Sequence, residues 1–174
     1  MTDPGDVERA RATFARLAGM TDPGDPGAGA GGARQAPRMA EQGCPFCKAI
    51  AGEPSGQIVD EDERTVAFMH PEPATLGHAL VVPRRHARDL LEIAEEDLAA
   101  TVAAAQRLSA KVIAQLGADG VNVINGCGRS AWQTVAHFHI HVIPRYEGEP
   151  LRLVWRSAAG GEDEIAAAAT QLRG

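Results

Sequence analysis

Three histidines at alternate positions, His137, His139 and His141, are interleaved with the apolar residues Phe138, Ile140 and Val142. In a β-strand, residues i, i+2 and i+4 share one face at about 6.5 Å spacing, so Ala136 to Ile143 reads as a strand with an imidazole face and an apolar face. Half of the chain's six histidines fall within these five residues. A neutral imidazole offers one nitrogen lone pair and has an unperturbed pKa of about 6.5, which suits nucleophilic attack, proton transfer and metal binding alike. Rings two apart on one strand diverge, and a tetrahedral shell usually needs ligands from elsewhere in the fold. A division of labour among the three is therefore expected.

A second chemical signal is the pair Cys44 and Cys47, two of the chain's 3 cysteines, separated by Pro45 and Phe46. Three cysteines do not make a secreted disulfide framework, and this spacing in a reducing compartment points to metal or redox chemistry. A redox pair generally precedes a helix in a βαβ context, and none is evident here. Cys127 has no partner at useful spacing and reads as a small core or loop residue.

The elements that must position these groups follow from periodicity and turn chemistry. Gln57 to Asp60 and Thr65 to Met69 read as a hairpin, and Gly77 to Val82 as a strand stopped by Pro83. Glu95 to Leu116 carries Leu98, Val102, Ala105, Leu108, Val112 and Leu116 at helical spacing and reads as the main helix. Gly120 to Asn125 reads as a strand ending in a turn, with the histidine strand next and Pro144 closing it. Leu151 to Trp155 reads as a short strand, and about Asp163 to Leu172 as a last helix. Connections too short for parallel crossovers imply an α+β domain with an antiparallel sheet.

Residues 1–43 differ from the rest. Thr2-Asp3-Pro4-Gly5-Asp6 recurs as Thr21-Asp22-Pro23-Gly24-Asp25, and residues 27–32 are Gly and Ala throughout. Such composition buries too little apolar surface to offset its ordering entropy, so a flexible extension precedes the domain at 44–174. Val7 to Leu17 could form a short helix capped by Asp6. A net charge of -6 argues against nucleic acid as the main ligand. No stretch approaches the roughly 18 apolar residues of a membrane span, and the N-terminus lacks a basic, apolar leader pattern; a cytoplasmic protein is expected.

The segment Gln133 to Arg145, with His137-Phe138-His139-Ile140-His141-Val142-Ile143 inside it, resembles the signature of the histidine triad (HIT) family. Cys44 to Glu53 resembles the opening of bacterial members, and Gly77 to His86 their middle strand. The resemblance implies a five-stranded antiparallel sheet with one long and one shorter helix, paired into a homodimer. It also implies cleavage of the bond between a nucleoside monophosphate and a phosphoramidate or phosphoanhydride leaving group, with a purine nucleotide or nucleotide conjugate as ligand.

By the same resemblance His139 is the nucleophile, and its attack on phosphorus would give a covalent nucleotidyl-histidine. A backbone carbonyl is the expected acceptor for its second nitrogen. His141 would lie beside the phosphate, either as a proton donor to the departing group or in an orienting role. Gln133 and Thr134 match phosphate-contacting positions, with ordinary turn hydrogen bonding as the alternative. Asn125 matches a nucleotide-contacting position or is a turn residue, and Phe68 lines the base pocket or belongs to the core.

Where many relatives carry an acidic residue that holds the ribose hydroxyls, this chain has His70. A neutral imidazole offers one acceptor where a carboxylate offers several. Trp132 stands where many relatives have Gly, and the turn after Asn125 is one residue longer. His86 and His137 would complete a Cys2His2 zinc site with Cys44 and Cys47, in a closed, structural geometry, and no organic cofactor is expected. His78 reads as a strand residue facing away from the site, without a role. Two further functions fit the same residues: a nucleotide-binding or protein-interaction module with little catalysis, and a dinucleoside polyphosphate hydrolase.

Overall fold

The computed structural model describes residues 43–53, 57–151 and 160–173. The helix read at Val7 to Leu17 lies outside these residues, and so does the strand read at Leu151 to Trp155 beyond its first residue. In chain order the described elements are α1 (Pro45–Ile50), β1 (Ile58–Glu61), β2 (Thr65–Met69), β3 (Ala79–Pro83), α2 (Glu95–Leu116), β4 (Gly120–Ile124), β5 (Ile140–Arg145) and α3 (Glu162–Arg173). A 3-10 turn, Arg129–Ala131, precedes β5. The strands form one sheet in the order β1-β2-β3-β5-β4, and each neighbouring pair is antiparallel.

Local chemistry explains most of these boundaries. In the β1–β2 turn, Asp62 Oδ1 accepts from the backbone N–H groups of Arg64 and Thr65 at 2.9 and 2.7 Å and from the Thr65 hydroxyl at 3.0 Å. An aspartate that caps the following amides in this way closes a turn. Helix α2 carries Glu95, Glu96 and Asp97 in its first turn, where the helix dipole favours anions, and stops at Gly117 in a left-handed conformation (φ 66°). Helix α1 was not expected from periodicity. It is six residues long, with Pro45 at its start and the Cys44 sulfur accepting from Cys47 N–H as its cap.

Alternation along the strands divides the core in two. Ala67, Ala79, Val81, Ile140 and Val142 face α2 and pack with Phe138 and with Ala104, Ala105, Leu108 and Val112. Val66, Phe68, Leu80 and Val82 face the other way and pack with Cys44, Phe46, Cys47, Ala49 and Val135. The stripe on α2 is rotated from the one its large residues suggest. Thr101 is fully buried, its hydroxyl bonded to the Asp97 carbonyl, whereas Val102 is 51% and Leu116 42% exposed. Small residues at 104 and 105 let the helix approach the sheet, and the larger Val102 is left outside.

The histidine strand differs most from expectation. Its ladder begins only at Ile140, so His137 and His139 precede the strand and His141 alone lies within it. The backbone here has other partners: Phe138 N–H donates to Ala87 O at 2.6 Å, and the Asn125 amide donates to His139 O at 2.8 Å. Pro144 does not end the strand, which runs on to Arg145. At that point β5 pairs only with β4, through Val121, because its pairing with β3 spans Ile140 to Val142; a missing N–H is tolerated on the open side. Pro83 is likewise the last residue of β3 rather than a stop before its end.

Phe138 is 1% exposed between β5 and α2. Phe138→Ala is expected to destabilise the fold by about 3–5 kcal/mol, measured as a lower urea midpoint with an unchanged slope.

Candidate active site and metal centre

Side-chain alternation on β2, β3 and β5 sends a column of histidines to the face opposite α2. Phe68 pairs with Leu80 and Leu80 with His141, so all three share that face. His70 and His78, two residues from Phe68 and Leu80, extend the same rows, with His70 N–H bonded to His78 O at 3.0 Å. His78 therefore does not face away from the site. Its Nε2 lies 3.0 Å from His141 Nδ1, and its ring stacks on His70 with centroids 4.4 Å apart and 13° between planes. The strand parity needed to find it was present in the sequence; the register between β3 and β5 was not.

Hydrogen bonds to the backbone assign the proton on each ring. His139 Nδ1 sits 2.7 Å from the carbonyl of His137, so Nδ1 carries the proton and Nε2 the lone pair. That carbonyl is the acceptor expected for a nucleophilic ring. His137 Nε2 sits 2.9 Å from Pro83 O, so its lone pair is on Nδ1. Ala74 N–H donates to His78 Nδ1 at 3.1 Å, which places the His78 proton on Nε2, aimed at His141 Nδ1. His141 then carries its own proton on Nε2. The triad thus offers one lone pair to a metal, one to an electrophile and one N–H donor.

Burial reinforces these neutral states. Loss of water pushes His137 down to about 4, and His141 down to about 2 with the nearby His139, His78 and His70 rings adding to the effect. His139 is lowered as well, chiefly by burial, against the opposing pull of the His137 carbonyl. The residue is 2% exposed and packs edge-on to Phe46 at 5.2 Å and to His141 at 5.0 Å. An open imidazole face is therefore not what forms; His139 is enclosed.

Cys44, Cys47, His86 and His137 are all buried, with one donor atom from each within 4.8 Å of the others. A tetrahedral zinc with Zn–S near 2.3 Å and Zn–N near 2.0–2.1 Å sets S···N edges of about 3.6 Å. The observed separations are 3.5 Å from Cys44 Sγ to His137 Nδ1, 3.6 Å from Cys47 Sγ to the same nitrogen, and 3.4 Å from Cys47 Sγ to His86 Nδ1. The His137 tautomer presents the required lone pair, with Pro83 O orienting the ring from behind. Burial pushes the Cys44 thiol up to about 11, and a divalent cation would offset that by favouring the thiolate. The residues fit zinc.

His70, His78 and His141 also bring three ring nitrogens within 4.8 Å. Here the donor chemistry does not suit a metal. Backbone N–H groups of Glu72 and Ala74 occupy Nδ1 of His70 and His78, which leaves Nε2 protonated on both rings.

The remaining expected site residues divide. Asn125 holds the backbone of His139 through its amide. The Gln133 amide is engaged in loop closure, accepting from Gly128 N–H and donating to the carbonyls of Arg88 and Val135. That is the turn-bonding alternative. The same loop is tight at Gly126, where a Cβ would fall 2.4 Å from Ala131 O, and ends at half-exposed Trp132 in a left-handed conformation (φ 64°). Thr134 is half-buried beside it. Phe68 is 3% exposed with its ring against Phe46, which is the core alternative. His70 is buried, with Nδ1 committed to Glu72 N–H, so it presents a donor where an acidic residue would accept.

A family model of the HIT domain matches residues 51–148, more than half of the chain. The chain belongs to the histidine triad family. An uncharacterized HIT-like protein of Methanocaldococcus jannaschii is 42% identical over 106 residues, which cover 61% of this chain and 81% of that protein. The crystal structure of a zinc-bound histidine triad family protein from Mycobacterium smegmatis is similar at TM-score 0.61 and 34% identity, covering 75% of this chain and 95% of that one. A histidine triad nucleotide-binding protein from Candida albicans is similar at TM-score 0.65 and 29% identity, covering 75% and 94%. Among the described residues no helix is long and apolar enough to cross a membrane.

Two predictions follow from the site. The full chain should carry one zinc per molecule by plasma emission spectrometry, and Cys47→Ser should lose it together with several degrees of thermal midpoint. The depressed His70, His78, His137 and His141 groups are neutral in the fold. In the unfolded chain they titrate near 6.5, so the stability they contribute is complete above that pH and falls progressively below it. Thermal midpoints should be level from about pH 7 to 8 and decline steadily toward pH 4.5.

Proposed function

We propose that this protein cleaves the bond between a nucleoside monophosphate and its leaving group through a covalent nucleotidyl-His139 intermediate. One observation carries the reading. The His137 carbonyl holds the His139 proton on Nδ1, so the remaining lone pair sits on Nε2, beside a ring whose free edge is an N–H donor. Nε2 forms a bond to the α-phosphorus as the bond to the leaving group breaks and that group departs with its electron pair. Water then attacks the same phosphorus as the Nε2–phosphorus bond breaks, its electron pair returning to His139; the water oxygen leaves with the monophosphate and one water proton passes through solvent to the departed group.

His141 takes the orienting role in this scheme. Its Nδ1 receives the His78 proton and its Nε2–H donates to a non-bridging phosphate oxygen, where charge accumulates in the transition state. Giving up that proton would leave a buried imidazolate, so stabilisation by hydrogen bonding is favoured over general-acid transfer. Asn125 positions the nucleophile through its backbone, and Gln133 keeps the 126–132 loop in shape. Thr134 contributes to the phosphate pocket.

Zinc is part of the proposal, held by Cys44, Cys47, His86 and His137. It supplies structural cross-linking when bound, tying α1 and the end of β3 to the segment that carries His139. His137 is thereby committed to the metal, which leaves two rings of the triad for phosphate. The ligand is a purine nucleotide or nucleotide conjugate and the working unit a homodimer, in keeping with the family; the nucleotide-binding name of the Candida albicans relative supports the first of these.

The test is AMP release from adenosine phosphoramidate by the full chain. His139→Ala should reduce kcat/KM by at least about 10³-fold while retaining zinc and the thermal midpoint. Because burial lowers the His139 pKa below 6.5, kcat/KM should remain level from about pH 6.5 to 8 and fall only on the acid side. Binding of AMP without turnover of any phosphoramidate or phosphoanhydride would instead establish a nucleotide-binding module.

A further inference from the structure

We propose that His70 is a positioning residue for His141, acting through His78: its stacked ring holds His78, whose tautomer the Ala74 amide sets, in the orientation that makes His141 an Nε2–H donor. The inference rests on the phosphate-facing role given to His141 above.

The loop between β2 and β3 is built around these two rings. Its neck is closed by His70 N–H donating to His78 O at 3.0 Å, and its interior supplies two amides pointing back at the neck. Glu72 N–H donates to His70 Nδ1 at 3.0 Å and Ala74 N–H donates to His78 Nδ1 at 3.1 Å. Both imidazoles are therefore capped on the same nitrogen, and both carry their proton on Nε2. A flipped or tautomerised ring at either position would set N–H against N–H in a buried place, at a cost of order 1–3 kcal/mol for each unsatisfied group. Thr75 anchors the loop to the sheet through its hydroxyl on Pro144 O at 2.6 Å.

His78 is the ring that transmits this choice. One of its faces lies flat on His70, at 4.4 Å and 13°, and its Nε2 edge meets His141 Nδ1 at 3.0 Å. The stacked ring covers that face and keeps water from competing for the bond to His141. His70 is 6% exposed and lies 6.0 Å from the His141 centroid at 33°, a looser arrangement than its flat stack on His78. A flat ring at position 70 is thus the feature that matters most, and the Nδ1 cap comes second.

The experiment uses the full-length, zinc-loaded chain with 15N-labelled histidine, reading the protonated nitrogen of each ring by long-range proton–nitrogen correlation, alongside steady-state turnover of adenosine phosphoramidate. In the wild type His141 is expected as Nε2–H with unprotonated Nδ1. His70→Ala should move His141 to averaged tautomers and lower kcat about tenfold or more, with KM changed less than twofold. His70→Phe retains a flat ring and should keep the His141 tautomer in the nitrogen spectra, whereas His70→Asn retains an acceptor for Glu72 N–H without the stack and should behave like His70→Ala. An unchanged His141 tautomer in both His70→Ala and His70→Asn would overturn the proposal. So would a His141 protonated on Nδ1 in the wild type, a rise in KM alone, or a second equivalent of zinc that disappears with His70. If the protein turns over no phosphoramidate, the nitrogen spectra still decide the tautomer claim, and only the functional reading fails.

Discussion

The hydrogen bond from His139 Nδ1 to the carbonyl of His137 is the constraint on which the site depends. At 2.7 Å it selects the tautomer with the lone pair on Nε2, in a segment where two of the three histidines precede the strand ladder. A regular strand would engage that carbonyl with a neighbouring amide and leave His139 to choose its own proton. The fold instead supplies a partner for every displaced group. Asn125 takes the His139 carbonyl, Ala87 takes the Phe138 amide, and Pro83 takes the far side of the His137 ring. Pro83 and Ala87 lie at and just beyond the end of β3 and Asn125 just beyond β4, so the shape of this segment depends on both strands that neighbour β5.

One consequence is that three residues of identical chemistry acquire different roles without any difference in side chain. Backbone carbonyls fix two of the protons, and a backbone amide fixes the third through His78. Burial then holds all of them neutral near pH 7, because a charged ring would give up its water, and for His137 and His141 the neighbouring rings add to that cost. The Cys44–Cys47–His86–His137 cluster joins this arrangement at His137, whose carbonyl orients the His139 ring and whose own ring faces Cys44 and Cys47. A ring of the metal-ligating set and a ring with its lone pair on Nε2 are therefore two residues apart on one short segment.

Much of this was legible in the sequence. Helix α2 spans the residues read from periodicity, and the hairpin, the antiparallel sheet and the Cys44–Cys47–His86–His137 set came from local pattern and resemblance together. What was not legible depended on long-range pairing. His78 read as a strand residue facing away from the site; only the pairing of Leu80 with His141 brings its ring to the triad. Alternation also suggested a continuous histidine strand, because it cannot register that Asn125 and Ala87 take the backbone bonds a ladder would use. Helix α1 escaped because six residues are too few for a helical period to show, although Cys44 before Pro45 was a start signal of the capping kind.

The most direct measurement of the central claim is peptide mapping by mass spectrometry of enzyme quenched in alkali during turnover of a nucleoside phosphoramidate, conditions chosen to preserve a phosphorus–nitrogen bond. A nucleoside monophosphate adduct is expected on His139, attached at Nε2. An adduct on His137, His141 or any residue outside the triad would contradict it.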